Sequence, residues 1–547
     1  MSRQERLTLV ATILASTVVF LDATVVNVAL PAMETDLDTG LAGQQWIVEA
    51  YLLALVSLML VGGSLGDHFG RKRIFLAGLI GFGVASVLCA VAPNTETLIA
   101  FRGIQGFAGA LLVPGSLAIV AATFEGEARG KAIGTWTAWS GISTIAGPAA
   151  GGFLVEQLSW RWIFWLNVPL IVATVLLTLH SVRETRDPTA VKGFDIPGVV
   201  LSALGLGGPV FALIEQPTYG WTDPLVLIPL VGGVLIFAAF LVREATARAP
   251  MLPLALFRIR NFAAANAATL TVYAGLYGGM FFLTLYLQQV AGYSPLEAGF
   301  ASVPVSLLLF VLSPRFGAFT ARVGPRLPMT VGPIVGGIGY LMLLRVGVDA
   351  DYWTEVLPGL VIFGLGLAAT VAPLTTTVLN SVNEHNAGIA SGVNNAVARV
   401  AGLIAIAVLG AVMSAQFASS VNEELAGQSL SPRAERIVDD ARERTLAGAE
   451  DTEELGGAAS ETVTPALEDS SLDAFRLGIL IAAALMIFGG LTSVVGVVDE
   501  KRRRRPTPTP VAATAGECGR ACGPSGEPVP GSLTPEPATS GTLDSAL

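Results

Sequence analysis

Charged residues are scarce in this sequence: Asp, Glu, Lys and Arg make up 14% of its 547 residues. Soluble proteins carry roughly a quarter, whereas 52% of this chain is hydrophobic, so a protein with one aqueous surface is excluded. The charges that are present lie between apolar stretches of about 20 residues, the length of a helix that crosses the hydrocarbon layer of a bilayer. The sequence therefore predicts a protein most of which lies in lipid.

Cysteine and histidine are also rare, with three of each. Cys89 falls in an apolar stretch, while Cys518 and Cys522 lie in a Pro/Gly-rich tail with too few partners for a structural zinc site. The histidines lie far apart on different segments: His68, His180 and His385. No Gly-x-x-x-x-Gly-Lys phosphate-binding motif occurs. We therefore expect no enzyme, catalytic residue, metal or cofactor, no use of ATP, and no nucleic-acid partner.

Fourteen apolar segments have the length of a membrane-spanning helix. They are residues 7–31, 46–66, 74–92, 97–122, 131–154, 163–182, 196–215, 224–242, 262–289, 297–320, 327–347, 354–377, 388–415 and 474–498. Arg and Lys cluster in every second loop, whereas the other short loops carry little beyond Arg161 and Arg345. The apolar segments predict an all-α membrane protein with fourteen transmembrane helices in the plasma membrane. The positive-inside rule places both termini in the cytoplasm.

Two segments lie outside these spans. Residues 416–473 carry fourteen acids against four Arg, and "SPRAERIVDDARER" within them offers Ser431 as a helix cap and Pro432 in the first turn. A partly helical outer acidic loop is expected there. Residues 499–547 contain "KRRRR" followed by Pro/Thr/Gly-rich sequence, which predicts a disordered cytoplasmic tail whose basic start contacts anionic lipid head groups.

The loops after the second and tenth spans repeat each other. "GSLGDHFGRKR" and "GAFTARVGPRL" align without a gap at an offset of 254 residues, pairing Gly70 with Gly324 and Lys72 with Arg326. A chance match in a glycine-rich chain is the alternative. Because repeats commonly build transporters, we predict an N-terminal six-helix bundle, two inserted transmembrane helices with flanking loops, a C-terminal six-helix bundle that includes the acidic loop, and the tail. Their bounds are 1–182, 183–261, 262–498 and 499–547.

Four motifs carry a resemblance to a known family. They are "LDATVVNVALP" at Leu21–Pro31, "GGSLGDHFGRKR" after the second span, "RGIQGFAGA" at Arg102–Ala110 and "GISTIAGPAAGG" at Gly141–Gly152. Together they resemble the motifs of the major facilitator superfamily, specifically of its fourteen-span drug:proton antiporters, over about residues 7–415 and 474–498.

The resemblance implies a major facilitator fold, two six-helix bundles plus two inserted helices. It also implies proton-coupled secondary active efflux of hydrophobic drugs or antibiotics, cationic ones included, across the plasma membrane by alternating access. The implied partners are a small-molecule drug, protons and the lipid bilayer, for a monomer that works alone or with accessory export proteins. Export of an endogenous metabolite or lipid-like compound is one alternative, and a non-transporting membrane sensor is another.

Asp22 is a carboxylate inside the first apolar segment, where a charge is costly and is rarely kept without a partner or a watery cavity. An apolar environment favours the neutral form of a carboxyl, whereas a nearby cation favours the charged form. If the environment of Asp22 differs between two conformations, its affinity for a proton differs as well. Arg102 is the cation expected beside it, and we predict that the two couple transport to protons. The alternative is that Asp22 only bonds a neighbouring helix while Arg102 extends to the interface.

Two glycine-containing segments are predicted to control the change of conformation. The loop after the second span contributes Gly63, Asp67, Gly70, Arg71 and Lys72, and the fifth span contributes Gly147, Pro148 and Gly151. In the loop, glycines allow a tight turn at a helix end, with an anion able to cap the next helix. In the span, small residues let a neighbouring backbone approach, and proline permits a kink. A loop that only fixes topology and plain helix packing are the alternatives.

Glu49, Tyr277 and Phe281 are the candidate substrate-binding residues. Glu49 either binds a cationic drug or lies at the interface near water. Tyr277 and Phe281 belong to a run of aromatic residues at helical spacing in the ninth span, which is typical of lipid-facing packing or of a drug-stacking cavity. Arg399 in the thirteenth span is interpreted as a packing and hydrogen-bonding residue, and binding of substrate is the alternative.

Overall fold

A computed structural model describes residues 1–124, 126–186, 195–247, 250, 252–382, 387–428, 430–444, 446 and 458–499. His385 and the predicted tail from residue 500 onward lie outside the described residues. Residues 1–499 form one compact unit.

Within the described residues the chain forms seventeen α-helices. They are α1 (Arg3–Leu37), α2 (Leu41–Phe69), α3 (Arg71–Ala90), α4 (Thr95–Thr123), α5 (Gly126–Gln157), α6 (Trp162–Trp165), α7 (Asn167–Ser181), α8 (Ile196–Tyr219), α9 (Pro224–Thr246), α10 (Arg260–Gln289), α11 (Pro295–Ala301), α12 (Val303–Val323), α13 (Arg326–Met342), α14 (Leu357–Asn380), α15 (Ala387–Glu424), α16 (Pro432–Arg444) and α17 (Ala458–Gly496).

Helices occur at all fourteen positions predicted from the apolar segments. The sixth span consists of α6 and α7, and the tenth consists of α11 and α12. Thirteen helical segments of the described chain are long and apolar enough to cross a membrane, and α5 is not among them. The sequence of α5 is rich in Gly, Ser, Thr and Ala, the residue types that line close helix contacts in membranes. The chain is an all-helical, multi-pass membrane protein.

The predicted outer loop 416–473 is shorter than expected, because α15 continues to Glu424 and α17 already begins at Ala458. Between them α16 begins at Pro432, and the Ser431 hydroxyl accepts the Ala434 N–H at 3.2 Å, as the capping pattern predicted. Ala434, Val438 and Ala441 on α16 are buried in the main hydrophobic cluster. The acidic composition of this segment gave no indication that one face of α16 is apolar and packs on the bundle.

The long helices run back and forth, so their ends form two faces. On the near face, where α1 begins, the Thr8 hydroxyl donates to the carbonyl of Ser181 at the end of α7 (3.1 Å). On the opposite, far face, Arg161 forms an ion pair with Asp36 at the end of α1. The terms near face and far face are used in this sense below.

An acid caps the third helix on the near face. Gly70, with φ of 113°, forms the turn from α2 to α3, a backbone conformation that side-chain-bearing residues rarely adopt. The Lys72 N–H then donates to Glu184 Oε1 at 3.0 Å, and the Arg73 guanidinium lies 3.7 Å from Glu184 Oε2. Glu184 follows α7, so the anion that was expected at this helix start comes from a distant segment.

The second copy of the repeat has the same geometry. Gly324 turns the chain from α12 to α13 with φ of 94°, and the Arg326 N–H donates to Asp499 Oδ1 at 3.1 Å. Asp499 follows α17, as Glu184 follows α7. The residues that the sequence repeat pairs, Lys72 with Arg326, therefore both donate to a carboxylate that follows a later helix.

We predict that Glu184→Gln and Asp499→Asn each remove about 1 kcal/mol of stability, because a neutral amide loses the attraction between a carboxylate and the positive end of a helix. Thermal unfolding of the purified variants in detergent measures this. Glu423→Gln is the matched control, since Glu423 is exposed on α15 and no hydrogen bond to its side chain occurs among the described residues. Equal melting temperatures for all three variants would contradict the capping role.

Candidate functional site

A buried polar network lies in the middle of the first half of the chain. Its members come from four helices: Asp22 on α1, Ser86 on α3, Arg102 and Gln105 on α4, and Asn167 at the start of α7. None is more than 1% exposed. Such groups persist in an apolar bundle only when their hydrogen bonds are made, so their partners define what the site can do.

Asp22 accepts three hydrogen bonds. Arg102 Nη1 donates to Oδ2 at 2.6 Å, while Gln105 Nε2 and Asn167 Nδ2 each donate to Oδ1 at 2.9 Å. A charged carboxylate only accepts hydrogen bonds. Among the described residues, each of the three side chains that bond Asp22 acts as a donor, which is the arrangement that suits an ionised carboxylate.

Arg102 is held on several sides. Its Nη1 also donates to Gln105 Oε1 at 2.6 Å, and its Nε donates to the carbonyl of Ile47 on α2 at 3.0 Å. The guanidinium carbon lies 4.3 Å from the centroid of the Tyr51 ring, a distance suited to cation–π attraction. Arg102 therefore points into the bundle and does not extend to the membrane interface.

Ser86 joins the two amides. Its hydroxyl accepts from Gln105 Nε2 at 2.9 Å and from Asn167 Nδ2 at 3.3 Å. The Oδ1 atom of Asn167 is buried and has no hydrogen-bond partner among the described residues. An unused acceptor thus lies on the same amide that binds Asp22, where a proton donor would find a partner.

Sequence reasoning did not single out Gln105, Ser86 and Asn167 as site residues. Gln105 follows Arg102 by three positions, which places both on one helix face, and this spacing was the available signal. Asn167 interrupts an apolar run in the way Asp22 does. Ser86 carried no such signal, because a serine can bond its own helix and is common in membrane helices.

A cavity of about 290 Å³ lies between helices of the two halves, lined by residues of α1, α2, α5, α10, α12, α14 and α15 and by Ser302. Its lining is mostly aliphatic and aromatic and includes Tyr277, one of the residues predicted to bind substrate. Phe281 is not part of the lining: it is 1% exposed and packs edge-on against Phe282, with ring centroids 4.9 Å apart. One helical turn separates a cavity residue from a core residue.

Glu49 lies outside the cavity lining. It is fully buried, and neither carboxyl oxygen has a hydrogen-bond partner among the described residues. Neighbours on the same face of α2 contact two other helices: Gln45 donates to the Ile406 carbonyl of α15 at 2.9 Å, and Trp46 donates to Glu215 of α8 at 2.8 Å. A charged carboxylate without a partner is costly at such a place, so the neutral acid fits Glu49.

The fifth span is held between the two halves. A side-chain carbon on Gly151 would lie 2.9 Å from the carbonyl oxygen of Val25 on α1, and Gly147 faces Thr24 of α1 in the same way. On the other side, a carbon on Gly299 of α11 would strike the carbonyl of Pro148. The neighbouring backbone that the small residues of α5 admit is therefore that of α1, with α11 behind.

The remaining predicted gating residues surround the turn from α2 to α3. Gly63 faces Pro114 of α4, and a side-chain carbon on this glycine would lie 3.5 Å from the proline ring. The Arg71 N–H donates to the carbonyl of Thr185 and Lys72 Nζ to that of Leu179, each at 3.0 Å. Asp67 lies in the last turn of α2, and its side chain is outside the described residues. The turn is thus tied to the segment that follows α7.

Comparison with known proteins gives a consistent result. The model of the Major Facilitator Superfamily matches residues 12–406. The tetracenomycin C resistance and export protein of Streptomyces glaucescens is 33% identical over 513 residues, 93% of this chain and 95% of that protein. The multidrug resistance protein Stp of Mycobacterium tuberculosis is 36% identical over 454 residues, 82% of this chain and 84% of that protein.

A solved structure shares the fold. It is a bacterial homologue of the human lysosomal transporter Spinster, in an inward-facing and unoccupied conformation. The TM-score is 0.61 at 18% sequence identity, over 92% of this chain and 100% of that chain.

We predict that Arg102→Met destabilises the protein by about 3–5 kcal/mol, because it leaves the Asp22 carboxylate buried without its cation. Asp22→Asn added to Arg102→Met should restore most of that loss, since the amide carries no charge. Thermal unfolding in detergent measures both. Arg161→Met is the control, because its ion pair with Asp36 is partly exposed and such pairs contribute about 1 kcal/mol or less. A double variant as unstable as the single one would refute the charge argument.

Substitution of Glu49 should have the opposite effect on stability. We expect Glu49→Leu to leave the melting temperature unchanged or to raise it, because replacing an unpartnered buried polar group by an apolar one removes a desolvation cost. Asp22→Leu should lower it, since three donors lose their acceptor. A large loss of stability in Glu49→Leu would show that Glu49 has a partner in the folded protein.

Proposed function

The chain belongs to the major facilitator superfamily, and from this premise we propose that it exports hydrophobic drugs or antibiotics in exchange for protons. It is a membrane transporter and not an enzyme. Relatives named for tetracenomycin C export and for multidrug resistance support the direction and the substrate class. The buried Asp22–Arg102 pair, 2.6 Å apart, is the observation that carries the proposal of proton coupling.

The proposed architecture is two six-helix bundles, residues 1–182 and 262–498, with two inserted helices in 183–261. The capped third helices of the two repeat copies support this division. The inserted helices α8 and α9 pack on each other, and α8 also packs on α2 and α15. The working unit is a monomer in the plasma membrane, and accessory export proteins are optional.

With both termini in the cytoplasm, the near face is cytoplasmic and the far face is external. Contacts between the bundles close the far face: the Leu296 N–H donates to Glu156 Oε2 at 3.2 Å, and the Gln289 amide donates to Glu34. Alternating access requires these contacts to separate. The close α1–α5 contact at Gly147 and Gly151, with Pro148 between them, is the proposed hinge, and the turn of Gly63, Asp67, Gly70, Arg71 and Lys72 is the proposed latch.

Protonation of Asp22 would break the balance of the network. A neutral carboxyl no longer offsets the charge of Arg102, which then remains buried with neutral partners only, so this arrangement of α1 and α4 becomes less stable. Helix α1 also carries Phe20 and Ala23, which line the cavity. A shift of α1 that follows proton binding therefore changes the cavity wall, and this short connection is the proposed route of coupling.

We predict that Asp22→Asn abolishes uphill export and keeps downhill exchange. The amide retains the size of Asp22 and imitates its protonated form, so each cycle loses the charge change that ties it to a driving force of ~2.3 kcal/mol per charge per 100 mV. Everted vesicles measure both activities, as drug uptake driven by an imposed proton gradient and as exchange of preloaded drug without one. Tetracenomycin C and a panel of fluorescent dyes serve as substrates.

Asp36→Asn is the matched control, because Asp36 lies on the same helix but pairs with Arg161 at the far face, with 47% of its side chain exposed. It should transport at the wild-type rate. Wild-type uphill uptake by Asp22→Asn at equal protein levels would remove Asp22 from the proton pathway.

A further inference from the structure

The cavity contains one charged side chain among its described lining residues, that of Arg399 on α15. No Asp, Glu or Lys is part of that lining. Within the described residues Arg399 has no hydrogen bond and no ion pair, and its closest interaction of note is with an aromatic ring, where the guanidinium carbon lies 5.6 Å from the centroid of Phe20. A cation thus faces the space between the bundles, and the described lining residues provide no counter-charge.

Arg102 and Arg399 differ in the partners that surround their guanidinium groups. Arg102 is surrounded by a carboxylate, an amide oxygen and a backbone carbonyl. Arg399 keeps its N–H donors available, and a guanidinium offers five of them in a planar fork that matches a carboxylate. An arginine at membrane depth is expensive to retain. A cavity ligand that carries negative charge would supply the missing partner.

Further groups in the lining define the rest of the ligand. Asn27 Oδ1 is buried and has no hydrogen-bond partner among the described residues, so it can accept from a hydroxyl or N–H of a ligand. Tyr277 is 40% exposed, and its ring centroid lies 5.9 Å from that of Tyr273, which also lines the cavity. Phe20 adds a third ring. The surface suits a flat aromatic molecule with one acidic group and one hydrogen-bond donor.

We propose that the substrates of this transporter are hydrophobic aromatic acids, and that Arg399 binds their ionised group. This inference rests on the proposed export function. A cationic drug would meet the uncompensated charge of Arg399 and find no carboxylate in the described lining, and Glu49, the acid considered for that role, lies outside it.

The proposal has a consequence for energetics. When one proton enters the cell and one anion leaves it, two positive charge equivalents move inward, whereas a neutral substrate moves one. The membrane potential therefore contributes twice as much free energy to the export of the acid, at ~2.3 kcal/mol per charge per 100 mV. At equal coupling to protons, uptake of the acid into everted vesicles should respond more steeply to an imposed potential.

Three probes with the same ring system test the proposal at pH 7: 9-anthracenecarboxylate, its neutral methyl ester and protonated 9-(aminomethyl)anthracene. Fluorescence measures binding to the purified full-length protein in detergent and uptake into everted vesicles. We expect the wild type to bind the acid at least tenfold more tightly than the amine. Arg399→Gln should weaken binding of the acid at least tenfold and leave the ester within twofold, and Arg399→Lys should be intermediate.

Arg345→Gln is the control, because it removes an exposed arginine outside the cavity, and it should behave as the wild type. The melting temperature of each variant shows whether it folds, and binding of the ester reports an intact cavity in Arg399→Gln. Equal binding of acid and amine by the wild type, no binding of the acid, or unchanged binding of the acid in Arg399→Gln would each overturn the proposal.

The binding and uptake measurements separate the two proposals. Arg399-dependent binding of the acid without proton-driven uptake of any probe or drug would support the ligand assignment and refute the export function. Proton-driven uptake of all three probes without a preference for the acid would support export and refute the role of Arg399.

Discussion

The ion pair between Asp22 and Arg102 constrains the first half of this protein, because both charges are buried. Two charges removed from water gain little net stability from each other, and in lipid they are tolerated only with a complete set of hydrogen bonds. Here that set comes from α1, α2, α3, α4 and α7, through groups such as the Ile47 carbonyl and Ser86. The pair therefore connects five helices through hydrogen bonds. In the proposed cycle, loss of the charge on Asp22 would therefore weaken the contacts that join these five helices.

The proposed hinge between α1 and α5 depends on a different kind of contact. Lipid tails are as apolar as leucine side chains, so helices in a membrane associate through close packing and not through the hydrophobic effect. Glycines supply this between α1, α5 and α11, where Gly151 meets Val25 and Gly299 meets Pro148. At these glycines the neighbouring helices come too close to leave room for a further side-chain carbon. The buried polar network and this close interface share helix α1.

The sequence predicted the helices and the Asp22–Arg102 pair because both follow from strong local penalties. A run of apolar residues must cross the bilayer, and a charge inside such a run must be neutralised by whatever cation lies within reach. Interactions whose loss costs less free energy leave a weaker signal in the sequence. The partners Ser86 and Asn167, and the caps Glu184 and Asp499, depend on which segments the fold brings together. From Val272 to Leu283 in the ninth span every residue is apolar, aromatic or glycine, so spacing could not separate Tyr277 in the cavity from Phe281 in the core.

Helix α1 contributes to both the buried polar network and the cavity, two sites with different electrostatic requirements. Phe20 lines the cavity and Asp22, two residues later, points into the buried polar network, since successive helical positions turn by about 100°. The electrostatic demands of the two sites remain separate because each has its own arginine: Arg102 is satisfied inside the first bundle, while Arg399 reaches the cavity from the second. A ligand bound by Arg399 would link the bundles across the cavity, and a proton on Asp22 would loosen the packing of α1. In the proposed cycle both events act on the same helix from opposite sides, so binding and protonation can oppose each other without direct contact between drug and proton.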